Sequence, residues 1–325
     1  MKVALITGGL GFIGTNLAVQ LLKTQNIKKC ILLDNFSSYI DPSLTDYKDY
    51  RKNRLSMISS KIVERCDTKN FSALLNLIEK YKPEYIFHTA ALPLAKINNL
   101  TLDEAKEGSI DSTMNILDAI HKSEKSFKNY KCKRFVYFSS SMVYGDFKKS
   151  VVNEVDETNP KDAYGVMKLA GELITKGISK LYNIPYTIIR PSAVYGPMDM
   201  NKRVSQIFIE KAISGELIKI AGKDEKLDFT YIDDLTNGCV KAAFSKKGIG
   251  ETFNITCGSG RKILDFVKIL DKMLPNVNYK IIPRDKTKPS RGTLSIKKAT
   301  KLIGYKPKFS LEKGIQSYLN FLSNN

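Results

Sequence analysis

The 325-residue chain has no apolar run near the ~20 residues a membrane helix needs, no block of five or six basic residues, no internal repeat and no low-complexity segment. These absences exclude a helical membrane span, a polybasic tail and a repeat architecture. The five cysteines, Cys30, Cys66, Cys132, Cys239 and Cys257, are odd in number and far apart, with no C-x-x-C spacing. Neither a disulfide framework nor a cysteine metal site is expected, and a reducing cytoplasm suits them. The opening MKVALITGG has one Lys and an apolar run that stops at glycines, too short for a signal-peptide core. Histidine is scarce: His121 is expected on a helix surface or helix end, and His88 at a strand end as a hydrogen-bonded structural residue. Acid is the scarcer charge, with 33 Asp and Glu against 52 Lys and Arg. That balance admits nucleic acid, anionic membrane or phosphorylated small molecules. The lysines are dispersed, so a solvated basic surface is expected, with neither nucleic acid nor membrane as partner.

What is present is an alternation of buried strands and amphipathic helices. KVALIT, CILLD, YIFHTAA, RFVYFSS and YTIIR are continuous apolar runs of the kind that doubly covered parallel strands show. GTNLAVQLLKT, FSALLNLIEKY, DSTMNILDAIHKS and DAYGVMKLAGELITKGISKLY lie between them with helical periodicity. The economical solution is an α/β fold, a doubly wound parallel sheet of the Rossmann type with a smaller C-terminal α/β domain. The expected division is a dinucleotide-binding domain over 1–195, to which about 229–258 returns, and a mainly substrate-binding domain over 196–325.

The first strand runs into TGGLGFIGTNL, where Gly9, Gly11 and Gly14 satisfy G-x-G-x-x-G and Gly8 adds a further small residue. The spacing allows a tight turn, close approach to a pyrophosphate and a helix N-terminus aimed at it. Gly8, Gly11, Phe12, Ile13 and Gly14 are therefore expected to cradle a dinucleotide. Asp34 ends the second strand 20 positions after Gly14, where an acid accepts hydrogen bonds from the adenosine ribose and repels a 2′-phosphate. The cofactor expected is NAD. Asn35 beside it and Asp67, after the third strand, are expected at the adenosine end. Tyrosines of SYIDPSLTDYKDY, namely Tyr39, Tyr47 and Tyr50, are candidates for the adenine edge.

Tyr164 and Lys168 are four apart on a predicted helix, one turn above the other on one face. A phenol with pKa about 10 is a poor base at neutral pH; a nearby ammonium, together with the positive nicotinamide ring, is expected to lower it, so that the tyrosine accepts a proton from a sugar hydroxyl while hydride leaves the same carbon. Lys168 is also expected to hold the nicotinamide ribose. A hydroxyl from the SSS at 139–141 would complete the constellation.

Taken together, TGGLGFIG, SSSMVYG, YGVMK, RPSAVYGP, DFTYIDDL and LIGYKPKFSLEKGI make the sequence resemble, over essentially its whole length, the extended short-chain dehydrogenase/reductases of the nucleotide-sugar epimerase/dehydratase family. The resemblance implies Ser140 as the catalytic hydroxyl, Tyr164 as the base and Lys168 as its partner. It also implies that His88 to Ala91, Ala90 among them, line the cofactor and substrate side of the fourth strand, and that Pro191 to Val194 pass beside the nicotinamide amide. A homodimer packed through helices at about 102–122 and 162–182 is implied by analogy.

Departures from the family pattern narrow the chemistry. Dehydratases of the family carry Asp-Glu after the catalytic hydroxyl; here Ser141 and Met142 stand there, and neither can serve an elimination of water. Hydride transfer alone remains: a 4-epimerization, or net oxidation or reduction at C4 with tightly bound NADH. Leu227 replaces an arginine that contacts the nucleotide, Ser295 replaces a common Asp, and Ser109 and Ser112 replace an Asn and a Gly. Lys202, Arg203 or Lys226, with Arg291 at the diphosphate, are the expected replacements, and Ser141 is expected to touch the sugar. The substrate expected is a nucleotide-diphosphate sugar. An NAD-binding scaffold for RNA or protein would need none of Ser140, Tyr164 and Lys168 together.

Overall fold

The computed structural model describes residues 2–37, 49–91 and 101–324. Strands β1 (Val3–Thr7), β2 (Lys29–Asp34), β3 (Lys61–Arg65), β4 (Tyr85–His88) and β5 (Arg134–Phe138) join the strands Tyr186–Arg190 and Glu251–Asn254 in one seven-stranded sheet. The order across it is Glu251–Asn254, Tyr186–Arg190, β5, β4, β1, β2, β3, and every pairing is parallel. Two strands go beyond the five apolar runs in the sequence. β3 is a partly exposed edge strand with charged residues at both ends, Lys61, Glu64 and Arg65; Glu251–Asn254 is a four-residue strand at the opposite edge. Neither needs the apolar run that marks a central strand.

Side-chain alternation explains how the sheet is covered. Ala4, Ile6, Cys30, Leu32, Phe87, Val136 and Phe138 point to the face under α1 (Phe12–Lys23) and the helix Ile232–Phe244. Leu5, Ile31, Leu33, Ile86, Phe135, Tyr137 and Ile188 point to the other, under α3 (Phe71–Tyr81) and the helices Ser112–Ser126 and Ala163–Tyr182. Burial on both faces, at about 1.5–3 kcal/mol per large apolar side chain, fixes register because a one-residue slip would exchange the two sets. The helix expected near 102–122 is interrupted: Leu102–Lys106, capped by Thr101 and Glu104, passes through a π-helical turn at Glu107–Asp111 before Ser112–Ser126 begins. Residues 232–254 return to the sheet, whereas the helices Val204–Ser214 and Ile263–Met273 pack together beside the parallel pair Ile218–Ala221 and Tyr279–Ile282. Among the described residues no helix is long and apolar enough to cross a membrane.

Candidate active site

The strand order reverses between β1 and β4, so the loops after these strands diverge and open a crevice at their carboxyl ends. A cleft of about 1060 Å³ lies there, walled by the sheet ends on one side and by residues 200–207, 221–227 and 284–291 on the other. That volume exceeds the ordinary range of one small-molecule site, roughly 300–1,000 Å³.

The dinucleotide end is built by the β1–α1 turn. Gly8 adopts φ +66°, and a Cβ there would come within 2.9 Å of the Ala90 backbone after β4. A Cβ on Gly14 would lie 2.4 Å from the Gly8 carbonyl oxygen, so α1 can start this close to the turn only as glycine. Asp34 is fixed from two sides: the amides of Leu10 and Phe36 donate to its two carboxylate oxygens at 3.0 and 2.9 Å. Asn35 donates to Asp67 at 3.2 Å, joining the ends of β2 and β3. Gly8, Gly11, Phe12, Ile13, Gly14, Asp34, Asn35, Asp67 and Ala90 all line the cleft. These residues fit NAD: a small-residue turn faces a pyrophosphate, and a positioned carboxylate lies at the ribose position. Arg54, on α2 (Arg51–Ser56), carries no motif signal, yet its guanidinium donates to the carbonyls of Leu10 (2.6 Å) and Met198 (2.9 Å) and ties the glycine turn to the opposite wall. Tyr39 and Tyr47 lie outside the described residues; Tyr50 packs edge-on to Phe321, with ring centroids 6.1 Å apart.

The chemical end forms where β5 stops. Ser140 caps the short 3-10 turn Ser141–Tyr144, its hydroxyl accepting from the Met142 amide at 3.2 Å. Asp162 caps the next long helix by accepting from Gly165 at 2.7 Å, which starts Tyr164 and Lys168 at the cleft. Ser140 and Tyr164 both line the cleft here, and the Ser140 hydroxyl acts to lower the Tyr164 phenol. Lys168 donates to the Phe138 carbonyl at 2.7 Å, with Nζ 5.8 Å from the Tyr164 ring centroid and 5.5 Å from that of Tyr137. Burial raises the Tyr164 phenol above its ordinary value, although the Arg203 charge and the Ser140 hydroxyl act the other way. Desolvation outweighs the Arg203 charge in this structure; the lowering expected from Lys168 together with a positive nicotinamide ring concerns the NAD-bound site. Burial likewise pulls Lys168 down to about 8, with Glu172 opposing.

His88 does not face the cleft. Its ring nitrogens bond Thr7 (2.8 Å) and Thr113 (3.2 Å), and burial, reinforced by the Lys168 charge, pushes it down to about 3, so it is a neutral structural residue. Of the stretch expected to line this wall, Thr89, Ala90 and Ala91 do so and His88 does not. His121 stacks on Tyr182 at 3.8 Å on the outer helices.

Pro191 and Val194 form part of the cleft wall, with Ala193 between them at φ +37°, a left-handed conformation costly for a residue with a Cβ. Ser141 is buried and its hydroxyl has no hydrogen-bond partner. Lys202 also lines the cleft but pairs with Glu210 at 2.6 Å, so its ammonium is already engaged. Arg203 makes a long hydrogen bond to the Val194 carbonyl, 3.4 Å. Arg291 lines the cleft; burial pulls it down to about 10, opposed by Asp162 and Glu225. Lys226 and Leu227 share that wall, as does Arg284, which pairs with Glu225 at 2.6 Å and was not singled out from sequence. Ser109 and Ser112 are buried behind the cleft, Ser112 donating to Thr68 at 2.6 Å, and neither lines it.

Comparison with known proteins agrees with this geometry. The model of the NAD dependent epimerase/dehydratase family matches residues 4–256. A UDP-glucuronate 4-epimerase of Thermodesulfobacterium geofontis is 26% identical over 330 residues, spanning 100% of this chain and 97% of the relative. Among solved structures, the UDP-glucuronic acid 4-epimerase of Bacillus cereus, in complex with UDP-glucuronic acid and NAD, superposes with TM-score 0.85 at 28% identity over 99% of both chains. The UDP-glucose 4-epimerase of Thermotoga maritima, with UDP-glucose, does so with TM-score 0.85 at 25% identity over 99% of both chains. With its glycine turn, its placed Asp34 and a family model matching most of its length, the chain belongs to the NAD dependent epimerase/dehydratase family.

Proposed function

We propose that this protein is an NAD-dependent 4-epimerase of a nucleotide-diphosphate sugar. The observation that carries the reading is the convergence of Ser140, Tyr164 and Lys168 on one cleft wall, with Ser141 and Met142, not carboxylates, in the positions that follow. Gly8–Gly14 and Asp34 would hold NAD, which when bound would supply the acceptor and donor of hydride. As a phenolate, Tyr164 would take the proton of the C4 hydroxyl while Ser140 holds the same oxygen, and the positive charges of Lys168 and of bound NAD would favour that phenolate against the burial that raises it. Once the 4-ketosugar has turned over in the cleft, Tyr164 gives the proton back as hydride returns to the opposite face, so atoms and charge balance. Ser141 and Met142 offer neither the acid nor the base needed to expel water from the neighbouring carbons.

Lys226, Arg203 and Arg291 supply the cationic side of the cleft for the diphosphate. UDP-glucuronic acid, bound by the Bacillus cereus relative, is the first substrate to test. We assign the cofactor to residues 1–195 with 229–258, and the nucleotide sugar mainly to the remaining C-terminal residues. Val166, Leu173 and Leu181 leave an apolar stripe exposed on the Ala163–Tyr182 helix, which suits a homodimer packed through that face. A nucleotide sugar and well-separated thiols suit the cytoplasm.

The test is turnover in D2O. Hydride that leaves and returns within one cleft keeps protium at C4 of both epimers; deuterium at C4 would mean proton exchange at that carbon in place of hydride transfer, and stoichiometric net reduction of added NAD would mean a dehydrogenase that releases its ketosugar.

A further inference from the structure

Behind Lys168 lies a buried ionic hub that the mechanism above does not use. Glu172, one turn beyond Lys168 on the same helix face, is fully buried. Its Oε1 accepts from the Ser139 hydroxyl at 2.5 Å and from Arg190 Nε at 2.8 Å, while Arg190 Nη2 donates to Oε2 at 2.7 Å. Arg190 Nη1 continues to the Tyr144 hydroxyl at 2.8 Å, which donates to Asn254 at 2.9 Å. One carboxylate thus joins the helix of Tyr164 and Lys168, the segment of Ser139 and Ser140 after β5, the strand that ends at Arg190 before Pro191, and the turn that Ser140 caps.

Burying four polar groups so deeply costs several kcal/mol of desolvation, and a plain apolar contact would hold helix to sheet more cheaply. The geometry indicates a use for the charge. Lys168 is buried at the sheet end, near Tyr137 from β5, His88 from β4, and Tyr164 and Glu172 from its own helix; the Glu172 carboxylate in turn meets Arg190 from the neighbouring strand and, at 3.9 Å, Lys176. Of the groups near Lys168, only Glu172 is a carboxylate.

We propose that Glu172 is a positioning residue for the reaction: clamped between Arg190 and Ser139, its carboxylate locks the Tyr164–Lys168 helix to the strand ends that carry Ser140 and Pro191, and it is the anion that balances Lys168. The bidentate Arg190 fork fixes the carboxylate in direction as well as distance. Ser139, adjacent to both the Phe138 carbonyl that Lys168 bonds and to Ser140, transmits the register from hub to site. The inference rests on Tyr164 and Lys168 acting as proposed above.

The test is the pH profile of kcat/KM for Glu172→Gln, which keeps the shape and removes the charge. Without that anion Lys168 sheds its proton sooner, so the alkaline limb is expected to move down by about half a pH unit or more, with kcat lowered at the optimum. A folded Glu172→Gln enzyme whose alkaline limb stays in place overturns the proposal, whether or not kcat falls, because a merely structural contact would leave the limb unmoved. If Glu172→Gln does not fold, Ser139→Ala decides: it keeps every charge, and it is expected to lower kcat about tenfold by loosening the register while leaving the limb and NAD affinity unchanged. Wild-type kcat in Ser139→Ala then overturns the proposal. Tyr164→Phe is the control: wild-type turnover there would refute the reading of the site itself, whereas an inactive Tyr164→Phe beside a wild-type-like Glu172→Gln would refute only the role of Glu172.

Discussion

Gly171→Ala probes how the catalytic helix is seated. A methyl at residue 171 would lie 2.0 Å from the Tyr137 hydroxyl oxygen, 2.4 Å from Cζ and 3.0 Å from Cε2. Ordinary contact begins near ~3.5 Å, so ring or helix must yield by roughly 1.5 Å. Tyr137 has little room to yield, being fully buried, tilted against His88 at 5.9 Å and bonded to the Lys168 carbonyl at 3.4 Å. The helix is therefore expected to lift from β5. Alanine returns about 1 kcal/mol of helix propensity, against an overpacking cost near the upper end of ~1–3 kcal/mol. The net loss of about 1–2 kcal/mol should lower Tm by a few degrees. Activity should suffer more, because a shift of order 1 Å at Tyr164 and Lys168 can cost about 100-fold in turnover. Adding Tyr137→Phe removes the closest atom but leaves Cζ too near, so it should restore only part of both. Thermal melts and turnover of the single and double variants are the assay. A single variant within one degree and twofold of wild type would refute the claim that this contact sets the helix position.

Three further outcomes follow from the site. Tyr164→Phe should lower kcat by about 10²–10⁴-fold with NAD affinity nearly unchanged, as measured by turnover and cofactor titration. Asp34→Ala should weaken NAD more than NADP, since its carboxylate is pre-positioned for a ribose hydroxyl and repels a phosphate; an unchanged preference ratio would remove Asp34 from that role. Lys168→Met should abolish turnover yet raise Tm at pH 7. The folded Lys168 titrates at about 8 against 10.5 in water, so the cost of its buried charge is fully present below about pH 8 and disappears as pH rises toward 10.5. The gain in Tm should shrink over that window, and a variant that melts below wild type at pH 7 would contradict it.

Some of this site was legible because its signals are local. The glycine turn, Asp34 at the end of β2, and Tyr164 and Lys168 on one helix face each follow from spacing within a single strand, turn or helix. The edge strand Glu251–Asn254 was less legible because an edge strand needs no apolar run, and β3 was placed only by its position before Asp67. Arg54, Asp162 and the Glu172–Arg190 hub give no local sign, since their roles depend on partners from 18 to 144 residues away or on a cap that a motif does not advertise. The depth at which Tyr164 is buried, which raises its phenol, was not legible because spacing reveals a neighbouring lysine but not burial. His88 was read rightly as structural from its scarcity and placement, but the wall it was grouped with faces the cleft without it.

The central claim is net inversion at C4 with no net oxidation. Its most direct test is proton NMR of UDP-glucuronic acid, with UDP-glucose and GDP- and dTDP-sugars in parallel, incubated with catalytic amounts of protein and NAD. The account predicts that one nucleotide sugar is converted to a stable mixture with its C4 epimer while NAD is unchanged. A ketosugar limited to about one equivalent per protein, or a product that has lost water, would contradict it.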